Sequence, residues 1–166
     1  MSKLKIDKIN EAILGILQTR ARITNQELAD AIGLSPSAVL LRVRKLEAAG
    51  VISRYVADIN IQKLADAAEY YVEITLTTQG LEERARFEKA MLANPFVIRC
   101  NQVAGPIDYL LQVMTLNTHH FERLADWLLS GDLPVQRITS IPIMRKVKPY
   151  AGFPIPAFFA GESPQE

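Results

Sequence analysis

Residues 33 to 50, GLSPSAVLLRVRKLEAAG, place two serines at the start of a segment of helical period, three basic residues in its middle and aliphatic residues along one edge. At 100° per residue, Val39, Val43 and Leu46 share a narrow face suited to burial. Ser37, Leu41, Arg44 and Ala48 lie opposite, with Ala38 and Lys45 beside that stripe. A merely solvated face favours long charged side chains of both signs. Here the outward face is small and basic, it includes Leu41, and the one acid within the helix, Glu47, sits near the core edge. Hydroxyls and guanidinium or ammonium groups contact phosphates and base edges, and an aliphatic side chain meets a thymine methyl. Ser37, Leu41 and Arg44 are therefore expected to read bases, with Ala38 beside them, and Ser35 and Lys45 to hold phosphates. Arg42 lies toward the buried side, where a structural ion pair and a phosphate contact are equally open.

Other chemistry is poorly provided for. His119 and His120 are adjacent at a helix start, so their side chains diverge by about 100° and do not share one metal. Their expected place is a solvated first turn, and neither a metal nor a cofactor is called for. Cys100 is the only cysteine, which excludes an intrachain disulfide and a Cys-based zinc site. Its strand-like, apolar neighbourhood predicts a buried thiol. No apolar run approaches the roughly 18 residues of a membrane span and the opening residues lead into no signal-type segment, so a cytoplasmic protein without a membrane partner is expected.

The basic helix needs a frame, and the flanking sequence supplies one. Ile6, Ile9, Ile13, Ile16 and Leu17 recur at helical spacing and predict a first helix over residues 7 to 20. Thr24-Asn25-Gln26-Glu27 is a capping box opening a second helix with Leu28, Ala29 and Ile32 inward. Gly33 permits the tight turn that follows, Ser35-Pro36 starts the third helix, and Gly50 ends it. Two helices across a short glycine turn, braced by a first, make a three-helix helix-turn-helix of the winged type, whose second element enters the major groove of double-stranded DNA. Charge agrees: residues 1 to 60 hold nine Lys or Arg against six Asp or Glu, whereas the rest hold ten against twelve.

After an extended connector, the composition changes near residue 60. Tyr70, Val72, Ile74 and Leu76 alternate with Tyr71, Glu73, Thr75 and Thr77 as in a strand with one apolar face. A helix with Phe87, Ala90 and Met91 inward follows and stops before Pro95. Residues 96–103 and 107–116 read as strands joined at Ala104-Gly105-Pro106. Phe121, Leu124, Ala125 and Leu128 mark another helix, and residues 135–144 a last strand that Pro142 confines to an edge. The order βαββαβ predicts an α+β chain with a ferredoxin-like sheet, both helices on one face. Tyr71 and the mixed face of the 107–116 strand are too apolar to stay wet, so a second copy is the expected cover and a homodimer follows. The domains expected are 1–60 for the helix-turn-helix and connector, 61–148 for the sheet, and 149–166 for a Pro- and aromatic-rich extension. That extension reads as too rich in proline for a helix and is expected to pack on a sheet domain.

GLSPSAVLLRVRKLEAAGVISRYVADIN, VEITL and VAGPIDYLLQV, in this order, resemble the Lrp/AsnC family of leucine-responsive and asparagine-sensing transcriptional regulators over residues 5 to 148. The resemblance implies a non-enzymatic DNA-binding regulator, dimeric with tetramers or octamers left open, that holds a small effector, usually an amino acid, at subunit contacts. Carried over, Gly105, Asp108 and Tyr109 match the Gly-x-x-Asp-Tyr hairpin, and Thr139 and Ser140 fall where the last strand lines the same pocket. Pro106, which stiffens this loop, departs from the family pattern. A siroheme-decarboxylase-like enzyme of the same architecture is the alternative, disfavoured by the intact basic helix and by the absence of histidine from 101–109. An architectural DNA-binding protein without an effector is the third reading.

Overall fold

The computed structural model describes residues 6–160, and they divide into two compact units. Of the described residues, 6–58 form one, together with 148–160; Ile59–Val147 form the other.

In the first unit α1 (Lys8–Leu17), α2 (Asn25–Ile32) and α3 (Pro36–Ala48) enclose Ile13, Leu28, Ala29, Val39, Val43 and Leu46. The start and stop signals act as their local chemistry requires. Thr24 accepts from the Glu27 amide while Glu27 accepts from the Thr24 amide at 2.8 Å, and Gly33 takes φ 71° in the turn. Gly50, at φ 70°, closes α3: its amide reaches the Glu47 carbonyl and the Val51 amide reaches that of Leu46, both at 2.9 Å, a Schellman arrangement. Helix α1 is shorter at its end than the periodicity predicts, and it begins at an N-cap the periodicity did not single out, Asp7, which accepts from the Asn10 amide at 2.8 Å. Residues 53–60 form neither helix nor strand.

The second unit is an antiparallel four-stranded sheet in the order β2-β3-β1-β4, from β1 (Ala68–Leu76), β2 (Val97–Gln102), β3 (Tyr109–Thr115) and β4 (Val135–Pro142). Helices α4 (Leu81–Ala93) and α5 (Thr118–Leu128) supply Phe87, Met91, Phe121, Leu124 and Leu128 to the core formed with Tyr70, Val72, Ile74, Tyr109, Leu111 and Val113. The chain is thus α+β, with a helix-turn-helix before a ferredoxin-like sheet. Tyr70 stacks on Phe121 with ring centroids 4.0 Å apart. Strand β4 is an edge, as Pro142 requires. On the other face Tyr71 is 40% exposed and its ladder partner Ile141 is 43% exposed, beside half-buried Leu110 and Met114.

Two expectations are corrected. Cys100 is exposed on the edge strand β2, and partial desolvation of its sulfur together with Glu88 pushes its thiol up to about 11. The extension does not join the sheet. It belongs to the helix-turn-helix unit, where Ile155–Ala160 form a short helix, α6, against α1. Pro156 is tolerated because it occupies the first turn, where amides lack intrahelical partners anyway. Residues 161–166 of that extension lie outside the described residues.

Candidate DNA interface and effector site

The outward face of α3 is built from its first turn onward. Ser35 caps the helix by accepting from the Ala38 amide at 3.3 Å, and its hydroxyl stands 3.2 Å from that of Ser37. Pro36 takes the first helical position. Ser35 and Ser37 are exposed and Ala38 is half-buried. Leu41 is 56% exposed, and Arg44 and Lys45 are exposed; among the described residues neither cation belongs to an ion pair. Arg44 also borders a cleft of about 240 Å³ with Leu17, Ile23, Leu40 and Tyr55, so its aliphatic stem has an apolar surface to lie on while its head stays in water. Glu47 accepts from the Tyr55 hydroxyl at 2.9 Å, which fastens the connector to the end of α3. Partial burial and Glu47 together push that hydroxyl up.

Arg42 resolves differently from the other basic residues. Its guanidinium donates to Asp7 Oδ2 at 2.7 Å and to Asn10 Oδ1 at 3.0 Å, so of the two roles open to it on sequence the structure shows the ion pair, which ties α3 to the start of α1. The amide of Asn10 and the guanidinium of Arg42 hold the Asp7 carboxyl below its ordinary value. A depressed carboxylate contributes stability above the ordinary carboxylate range and loses it as pH falls through the lowered value, below about 4. Asp7→Ala is expected to cost the helix-turn-helix roughly 0.5 to 2 kcal/mol at neutral pH, mostly as a lost cap, since half-exposed ion pairs add little. Thermal melts at pH 7 and pH 3 measure it: the gap between wild type and variant narrows in acid.

The hairpin turn between β2 and β3 holds Gly105 at φ 144° and exposed Pro106. Asp108 is half-buried and already engaged. Its Oδ2 accepts from the Leu76 amide at 2.8 Å and its Oδ1 from Gln79 Nε2 at 2.9 Å, so the carboxylate ties the end of β1 to the hairpin. Tyr109 is 1% exposed and donates to Glu88 Oε1 at 2.7 Å; it serves the core and not the loop surface. Burial and Glu88 push its hydroxyl up to about 12. Thr139 pairs with Glu73 and turns to the open face, whereas Ser140 pairs with buried Val72 and turns to the helix side. One pocket therefore does not receive both side chains. Asp108 follows the ladder to lie opposite Thr75 while Thr139 lies opposite Glu73, so they are about 7 Å apart along the strands and about 10 Å apart across them. A single chain does not bring the hairpin and Thr139 together.

Sequence reasoning missed Gln79 and Glu88, which lie in other elements from the residues they engage. The described residues contain no group of three or more His, Cys, Asp or Glu placed to hold a metal, and no helix long and apolar enough to cross a membrane.

Residues 6–53 match the winged helix-turn-helix DNA-binding model and residues 69–153 the Lrp/AsnC ligand binding domain. The transcriptional regulatory protein DoeX of Halomonas elongata is 37% identical over 145 residues, 87% of this chain and 92% of its own. A Neisseria meningitidis transcriptional regulator solved with L-Met superposes at a TM-score of 0.87, with 26% identity, over 93% of this chain and all of its own. The feast or famine regulatory protein of M. tuberculosis complexed with L-methionine gives 0.79 at 30% identity, over 90% and 99%. A helix-turn-helix with an exposed basic face that matches the winged DNA-binding model, a sheet unit that matches the Lrp/AsnC ligand binding domain, and relatives that are transcriptional regulators place the chain in the Lrp/AsnC family of transcriptional regulators.

Proposed function

We propose that the protein is a sequence-specific DNA-binding regulator, working as a homodimer, whose assembly or DNA affinity responds to an amino acid. The observation that carries this reading is the exposed face of α3, where Ser35, Ser37, Leu41, Arg44 and Lys45 gather and neither cation belongs to an ion pair among the described residues. Arg44, Leu41 and Ser37 read base edges; Ser35 and Lys45 position the helix on phosphates. The open face of the sheet, where Tyr71, Leu110, Met114 and Ile141 stand uncovered among polar side chains, is the dimer surface. A dimer carries two reading heads.

The effector reading is supported by the ligand-binding match and by the two structurally similar regulators with L-methionine. A zwitterion needs donors for its carboxylate and an acceptor for its ammonium. The turn at Gly105-Pro106 offers backbone groups unscreened by a side chain at Gly105, Asp108 keeps lone pairs beyond its two internal hydrogen bonds, and Thr139 contributes a hydroxyl from a different copy of the chain.

The test of the DNA reading is salt. Two heads neutralising at least four phosphates give a log–log plot of affinity against salt with a slope of about −4 or steeper. Measured by fluorescence anisotropy on DNA from upstream of its own gene, a nearly flat plot removes the electrostatic basis of the reading.

A further inference from the structure

The chain passes between its two units twice, once near residue 58 and again near residue 147. The second passage is pinned on both sides. On the sheet side, Lys146 Nζ lies 2.6 Å from Glu69 Oε2, a buried oxygen held by charge without an aligned hydrogen bond, while Glu69 Oε1 accepts from Gln112 Nε2 at 2.6 Å. Only the carboxylate is buried, since the Lys146 side chain is 56% exposed, and the lysine supplies the charge that faces this otherwise unpartnered oxygen. On the helix-turn-helix side, the Gln18 amide at the end of α1 grips the backbone of Phe153. Gln18 Nε2 donates to the Phe153 carbonyl at 2.9 Å and the Phe153 amide donates to Gln18 Oε1 at 2.7 Å. Gly152 makes the approach possible: its φ is +99°, and a Cβ there would stand 2.5 Å from the Gln18 side chain. Beyond the grip, α6 lies against α1.

This arrangement has more order than a trailing terminus needs. The strand that leads into it is β4, which carries Thr139. The helix that receives it is α1, whose other end holds α3 through Asp7, Asn10 and Arg42. We propose that residues 148–160 are a strap through which a change at β4 reaches the DNA-reading helix, by way of Lys146, the Gln18 grip and α1. The proposal rests on the reading of β4 as part of the effector site. A ligand that shifts β4 alters the tension or seating of the strap, and the equilibrium between head positions shifts with it.

Gln18→Ala removes both hydrogen bonds and no core side chain; the full-length chain and this variant are compared by two readouts. The first is hydrogen exchange of the ligand-free proteins. Deuterium uptake at residues 150–158 is expected to rise at least tenfold in rate in the variant, and unchanged uptake overturns the grip whatever the effector site does. The second is the ratio of DNA affinities with and without each of the twenty amino acids, alongside calorimetry of ligand binding. Wild type is expected to respond at least fivefold to one of them; the variant is expected to bind that amino acid within twofold of wild type yet respond less than twofold. A tail that only stabilises would lower the melting temperature and leave the response intact, which overturns the strap. If wild type responds to no amino acid while the exchange result holds, the effector assignment falls and the coupling with it, leaving the grip. Gly152→Val, which crowds Gln18 from the other side, is expected to reproduce the Gln18→Ala result.

Discussion

Replacing Arg44 by alanine is expected to weaken specific DNA binding by roughly 1 to 3 kcal/mol, about five- to 150-fold, at fixed salt. The residue is exposed, has no carboxylate partner among the described residues and stands on the outward face of α3. Its loss should leave the fold and the dimer unchanged. A guanidinium that reads guanine relaxes specificity at one base position when removed, whereas one that only touches phosphate weakens all sequences alike and makes the salt slope shallower by about one. A gel shift on the operator and on scrambled DNA separates these. Arg42→Ala provides the contrast: it breaks the hydrogen bonds to Asp7 and Asn10 and should lower the melting temperature of the helix-turn-helix.

Asp108→Ala is expected to abolish the response to the effector while DNA binding survives, and to destabilise the sheet unit by roughly 1 to 3 kcal/mol. The Leu76 amide and the Gln79 side chain both lose their acceptor, and the first is half-buried. Asp108→Asn divides structure from charge. The asparagine oxygen can still accept from Leu76, so the hairpin stays seated, but its amide offers no charge to an ammonium group. If the asparagine variant binds the amino acid as wild type does, Asp108 acts only by holding the loop. If it folds as wild type and loses the ligand, the carboxylate meets the ammonium. Calorimetry with parallel thermal melts reads both.

What the sequence discloses about this chain is what is local or periodic. The capping box at Thr24, the serine cap and proline at 35 and 36, and the positive-φ glycine at 50 each act through residues at most five apart, so their types announce them. The alternation from Tyr70 to Leu76 reports a half-buried strand because neighbouring side chains must point to opposite faces. The same period counts against placing Thr139 and Ser140 in one pocket. Contacts between distant residues carry no such signature. Arg42 meets Asp7 across 35 positions, Asp108 meets the Leu76 amide across 32, and Gln18 grips Phe153 across 135. The exposure of Cys100 likewise depends on strand order, since β2 reads as a buried strand until the sheet places it at an edge. The tail misleads by composition: proline and aromatic residues suggest a partner surface without saying which, and the partner is α1.

The central claim is that one chain couples DNA reading by α3 to amino-acid binding by the sheet unit. Its most direct measurement is a titration of the wild-type protein onto labelled DNA from upstream of its own gene, at fixed salt, alone and with each amino acid in excess. The account predicts specific binding at least a hundredfold tighter than to scrambled DNA, shifted at least fivefold by one amino acid. Equal affinity for operator and scrambled DNA, unmoved by any of the twenty, would contradict it.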